Sequence, residues 1–132
     1  MAKMTTKEFE DFLLSIGGLQ NGWKESAPIV KNLCECDEGW LQLISDCIKE
    51  LIAAGWDKQI LQIKEKFGGL RFYTGPLFEE GYKIISKYES LSYTTCEICG
   101  NPGEPSSKGW IKTLCEKCLI QKTTNDKTND SK

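Results

Sequence analysis

QIKEKFGGLRFY, residues 62–73, decides the fold. Two alternating segments flank a Gly-Gly pair, which reads as a β-hairpin with Gly68-Gly69 as its two-residue turn. The strands run from Ile60 to Phe67 and from Leu70 to Thr74, and Gly75-Pro76 ends the second. In that register Phe67 faces Leu70, Lys66 faces Arg71, Glu65 faces Phe72 and Lys64 faces Tyr73. Side chains alternate between the faces of a strand. One face then carries Ile63, Glu65, Phe67, Leu70 and Phe72, and needs apolar cover. Glu65 is its misfit and needs a partner or an edge. The other face carries Gln62, Lys64, Lys66, Arg71 and Tyr73.

The cover lies on either side in sequence. Trp40, Ile44, Cys47, Ile48 and Leu51 form one apolar stripe at helical spacing, which predicts a helix over about 38–54, capped by Asp37 and stopped by Gly55. Phe78, Tyr82, Ile85, Tyr88 and Leu91 predict a second helix over about 77–92. Thr5-Thr6-Lys7-Glu8 has the form of a capping box, and Phe9, Phe12, Leu13 and Ile16 follow it, so a short helix is expected at about 6–16. Residues 19–36 show no periodicity and contain Pro28; they read as a loop, with one helical turn near Ile29–Leu33. All four tryptophans follow a glycine, as if a turn were followed each time by a core anchor. The fold class expected is α+β: amphipathic helices on a β-hairpin over 1–94, a cysteine module over 95–121 docked on that core, and a frayed polar tail over 122–132.

The totals narrow the function. A chain of 132 residues, 39% hydrophobic and 27% charged, is expected to be one globular domain. No apolar run approaches the roughly 18 residues of a membrane span, and MAKMTTKEFEDF lacks an apolar signal core. A cytoplasmic protein with no membrane partner is therefore expected. Net charge is −2, against a general nucleic-acid binder. The basic residues are local: Lys58, Lys64, Lys66 and Arg71 crowd into 58–74 with only Glu65 opposing them. There is no histidine, which removes Ser-His-Asp and Cys-His catalysis together. No enzymatic function is expected.

Seven cysteines without a secretion signal do not suggest a disulfide framework. Four of them pair as Cys96-x2-Cys99 and Cys115-x2-Cys118, the spacing of a four-thiolate zinc site. Each pair can grip one ion from a tight knuckle, and two knuckles complete a tetrahedron. Four thiolates leave no position for a reacting water, so the zinc expected is structural. Trp110 to Leu114 reads as a strand entering the second knuckle, and Leu119 to Lys122 as a helix leaving it. That order resembles a treble clef; a plain zinc ribbon would place a strand after Cys118. Cys34, Cys36 and Cys47 lack knuckle spacing. A second metal site there is the weaker reading, and Cys47 fits a core position.

LCEKCLIQKT resembles the structural-zinc end of HNH nucleases over residues 96–124. The resemblance implies a shared scaffold without the chemistry, because the nuclease needs histidines that this chain lacks, and Leu119 stands where the second-knuckle histidine would be. More of the chain, about 37–118, resembles small uncharacterised proteins encoded in bacteriophages and bacterial genomes. DEGWLQLI, KEKFGGLRFY, an amphipathic helix, TCEICGNPG and the KTLC segment carry that likeness. It brings no activity, but a phage setting implies a small protein that blocks a host factor, such as a defence component, by binding it in the bacterial cytoplasm.

The basic hairpin face has two readings. Lys and Arg on an exposed strand discourage edge aggregation. Alternatively, cations set close together and a neighbouring Tyr73 await an acidic protein, a nucleic acid or a small anionic ligand. The nucleic-acid reading also draws on Lys108, Trp110 and Lys112 of the cysteine module.

Overall fold

The structure, a computed structural model, describes residues 3–17, 20–21, 34–105 and 111–120, with the backbone alone for 20, 21, 34 and 35. The elements run α1 (Thr6–Ser15), β1 (Gln20–Asn21), β2 (Cys34–Glu35), a 3-10 turn (Glu38–Trp40), α2 (Leu41–Ala53), β3 (Gln59–Lys66), β4 (Gly69–Thr74), α3 (Glu79–Ser92), β5 (Glu104–Pro105) and β6 (Thr113–Leu114). A last helical segment, α4, spans 116–120. Helix and strand are mixed, with a four-cysteine cluster toward the C-terminal end. The helical turn expected near Ile29–Leu33, Trp23, Lys108, Trp110 and the tail over 122–132 lie outside the described residues.

The sheet is built on β3. Its partner on one edge is β4, antiparallel. Along the other edge lie two short parallel strands, β1 against Gln59 and Ile60 and β2 against Ile63 and Lys64. The sequence predicts a loop over 19–36, and within it Gln20–Asn21 and Cys34–Glu35 pair as strands. Two-residue strands have no period to detect, and only the neighbouring backbone defines them.

The hairpin forms, but one step from the expected place. Lys66 pairs with Gly69, Glu65 with Leu70, Lys64 with Arg71 and Ile63 with Phe72. The turn is therefore Phe67-Gly68, with φ of +54° and +84°. These are the two left-handed positions of a type I′ turn. Sliding the loop by one residue moves each partner by two, so both faces keep their side chains. Only Phe67 leaves the apolar face, and Arg71 stands opposite Lys64 instead of Lys66. Further along, the pairing passes from Gln62 and Tyr73 to Ile60 and Thr74, leaving Leu61 as a bulge. An odd spacing would send Ile60 and Ile63 to opposite faces; the extra residue lets both point inward. Both are fully buried.

The apolar face of the sheet carries the core. Ile60, Ile63, Leu70 and Phe72 join Trp40 from the 3-10 turn, Ile44, Ile48 and Leu51 from α2 and Ile84, Ile85 and Tyr88 from α3, with Phe9 and Leu13 from α1. Thr5 and Glu8 form the reciprocal capping box that the sequence predicts for α1. Asp37 sits at the cap of the 3-10 turn without a side-chain cap bond. Helix α3 starts at Glu79, and Leu77 tucks beneath Gly81. It also closes the free edge of β4: Ser92 Oγ accepts from Leu70 N at 2.8 Å, and Glu89 Oε2 from Phe72 N at 3.3 Å. An unpaired strand edge is thus satisfied by helix side chains.

Candidate functional site

The four cysteines of the two knuckles come together. The sulfurs of Cys96, Cys99, Cys115 and Cys118 all lie within 4.8 Å of one another. Cys99 Sγ and Cys115 Sγ are 3.6 Å apart. A tetrahedral ion with metal–sulfur bonds of about 2.3 Å requires thiolates about 3.8 Å apart, so the set fits a metal ion. Local backbone builds each knuckle. Gly100 N donates to Cys96 O at 2.9 Å, and Cys96 N donates to Asn101 O at 2.7 Å, which turns the first pair back on itself. In the second, Cys118 N donates to Cys115 Sγ at 3.4 Å as α4 begins. That donor draws the Cys115 thiol down to about 7, while burial pushes Cys99 up. β5 and β6 bring the two knuckles face to face, pairing Glu104 with Leu114 and Pro105 with Thr113.

The module is fastened to the core by backbone as much as by side chains. Gly39 N donates to Glu97 O at 2.7 Å, and Trp40 Nε1 donates to Thr95 O at 2.8 Å. A methyl group on Gly39 would stand 2.4 Å from the carbonyl oxygens of both Cys96 and Glu97. The hairpin tip makes the other attachment. Thr113 Oγ1 donates to Gly68 O at 2.5 Å, and a Cβ on Gly69 would fall 2.3 Å from the Tyr93 ring. The Gly-Gly pair therefore serves close approach between hairpin, module and helix end as well as the turn itself.

Glu65, the misfit of the apolar face, has its partner here. It accepts from Gly68 N at 2.8 Å and faces Lys112 Nζ at 3.4 Å. Lys112 also reaches Glu97 at 3.3 Å, whose side chain is 1% exposed. Burial raises the Glu97 carboxyl, opposed by the Asp37 amide and by Lys112. For Lys112, the two carboxylates outweigh burial and hold the ammonium charged. Lys112 is thus a structural bridge between hairpin and module, and is withdrawn from the basic surface to which its sequence assigned it.

Lys58 donates to Ile16 O at 2.8 Å, at the end of α1, while Lys64, Lys66 and Arg71 remain on the sheet face turned away from the helices. Lys64 stands opposite Arg71, a like-charge pair that costs a few tenths of a kcal/mol. Lys64 Nζ lies 5.7 Å from the centre of the Tyr73 ring, and Tyr73 is 41% exposed. Among the described residues, no carboxylate lies within ion-pair distance of Lys64, Lys66 or Arg71. Glu35 is the register neighbour of Lys64 on β2.

Of the remaining cysteines, the Cys34 side chain lies outside the described residues. Cys47 is fully buried in the core, its thiol pushed up to about 12 by burial, and Cys36 packs against the same cluster. Among the described residues, the knuckle cysteines are the single group of three or more His, Cys, Asp or Glu side chains placed to share an ion. No described helix is long and apolar enough to cross a membrane. No family model, curated protein or solved structure matches this chain.

Proposed function

We propose that this chain is a small, non-catalytic binding protein, held in shape by a structural zinc ion, whose open hairpin face engages an acidic partner. One observation carries the reading. Lys64, Lys66 and Arg71 share a sheet face that the helices do not cover, and no described carboxylate neutralises them. A fold gains nothing from placing Lys64 against Arg71; an acidic surface seated on them relieves the repulsion.

Zinc is the ion that the donor set favours. Four thiolates at tetrahedral spacing suit it, and the set leaves no open position for water. Such a centre stabilises a segment too short to build its own core. Helix α4, opening on the second knuckle at 116–120, supports a treble clef over a zinc ribbon. The likeness to small phage and bacterial proteins supports a host protein, such as a defence factor, as the partner, bound and blocked in the bacterial cytoplasm. The absence of histidine from the sequence supports binding over catalysis.

The test is affinity capture from bacterial lysate by the tagged full chain, with and without nuclease, against a Lys64→Glu, Lys66→Glu, Arg71→Glu variant. A stoichiometric protein partner that resists nuclease and is lost with the folded variant is the expected result. Equal capture by both forms would reduce the face to ordinary surface charge. The pairing of Lys64 with the exposed Tyr73 ring favours a second reading, a nucleic acid or nucleotide stacked on the same face. In that case the captured material disappears with nuclease, and binding falls steeply with salt.

A further inference from the structure

A type I′ hairpin turn needs left-handed backbone at both positions, which Asn-Gly or Asp-Gly normally supplies. Here the first position is Phe67, at φ +54°. For a bulky side chain that conformation is unfavourable. Burial could offset it, but Phe67 is 64% exposed, and among the described residues its ring contact is with Lys66 Nζ, 5.6 Å from the ring centre. The fold gains neither conformational ease nor buried area from a phenylalanine there. Asparagine or glycine would serve the turn better.

The surroundings give the ring a setting. Ile111, 37% exposed, places Cγ2 3.1 Å from where a Cβ on Gly68 would stand. An aromatic and an aliphatic side chain therefore share the tip. The tip is also held still: Gly68 N donates to Glu65, Gly68 O accepts from Thr113, and Tyr93 packs over Gly69. A projecting aromatic on a rigid support, flanked by arginine and lysine, has the make-up of an interface hot spot, and rigidity lowers the entropy lost on binding.

We propose that Phe67, with Ile111 beside it, is an anchor that inserts into an apolar pocket on a partner protein, with carboxylates on the pocket rim facing Lys64, Lys66 and Arg71. This rests on the reading of the basic face given above. A protein is favoured over a single-stranded nucleic acid because Ile111 offers no stacking surface and the chain carries a net charge of −2. The strain at Phe67 is then offset in the complex instead of in the free fold.

The experiment is a random-peptide display selection on the immobilised full chain, followed by affinity measurement with a synthetic peptide of the enriched sequence. The expected consensus has an aromatic or aliphatic residue flanked by Asp and Glu. Phe67→Asn and Phe67→Gly should each weaken that peptide at least tenfold, while the melting temperature equals or exceeds that of the parent. The Lys64→Glu, Lys66→Glu, Arg71→Glu variant should weaken it too. A peptide lost in the charge variant but not in Phe67→Asn or Phe67→Gly would overturn the anchor and leave the basic face standing. Indifference to both changes would overturn both. An empty selection would overturn the anchor. Phe67-dependent binding of a labelled oligodeoxythymidine in place of peptides would also overturn it, in favour of base stacking.

Discussion

Gly39→Ala separates two explanations of the N-terminal end of α2. Gly39 lies in the 3-10 turn that leads into that helix. Helical propensity alone predicts that alanine stabilises such a position, by up to ~1 kcal/mol. The packing predicts the opposite. The new Cβ would meet Cys96 O and Glu97 O at 2.4 Å and Glu97 C at 2.5 Å. These are backbone atoms of the first knuckle, so no side chain can swing aside. Ordinary contact requires the knuckle to retreat by about 1 Å, at about 1–3 kcal/mol for overpacking. That retreat also breaks the Gly39 N to Glu97 O bond of 2.7 Å and leaves a buried donor unsatisfied, about 1–3 kcal/mol more. A net loss of about 2–4 kcal/mol is expected, or roughly 10 °C in melting temperature for a chain of this size. Chemical and thermal unfolding of the purified full chain, followed by Trp fluorescence, gives the value. Wild-type or higher stability in Gly39→Ala would refute the contact between the 3-10 turn and the knuckle.

Two further outcomes follow from the ion pairs. Lys112→Met should cost about 2–3 kcal/mol, because Glu97 is left buried without its cation. Adding Glu97→Gln should recover much of that loss in a double-mutant cycle, and strict additivity would remove Lys112 from its bridging role. At low pH, two carboxylates should govern the approach to unfolding. Glu38 is held below the usual carboxylate range by the Thr6 backbone amide and hydroxyl, with Lys3 adding to them, and Glu50 by Lys87 and the Tyr88 hydroxyl. Both values are lowered on folding, so their contribution is full above about 4.5 and is lost as pH falls through the folded values. Glu50→Gln should therefore flatten the acid limb of the stability–pH curve while leaving the curve near neutral pH parallel to that of the parent; an unchanged acid slope would contradict the Lys87 and Tyr88 contacts.

Helix α2 was legible because its apolar stripe is buried where the period places it, at Ile44, Ile48 and Leu51 with Trp40 just ahead of it. In α3 the period found the helix but not its buried face: Ile85 and Tyr88 are buried, whereas Phe78, Tyr82 and Leu91 are exposed and Gly81, Ile84 and Ser92 complete the packed side. The hairpin was legible in its faces but not in its turn. A Gly-Gly pair satisfies the turn rule by itself, and nothing local shows that Gly69 is needed for the Tyr93 ring while Phe67 bears a left-handed backbone. The strands β1 and β2 left no trace, because two residues cannot show alternation and their pairing is decided 29 or more positions away, on β3. The knuckle cysteines were readable from spacing, since metal geometry constrains ligand separation directly. Glu65 announced that it needed a partner. The identity of that partner, Lys112, lay in the folding of the module against the hairpin tip, which no local pattern records.

The account turns on the four thiolates, since the knuckles they hold are what fasten the hairpin tip to the core. Its most direct test is the metal content of the purified full chain by mass spectrometry, for wild type and for Cys115→Ser. The account predicts stoichiometric zinc in the wild type. In the variant it predicts loss of zinc, together with a change in the Trp40 environment as the Thr95 contact loosens. A wild-type chain purified without metal that still shows the full near-ultraviolet signal, or a Cys115→Ser chain that keeps stoichiometric zinc, would contradict it.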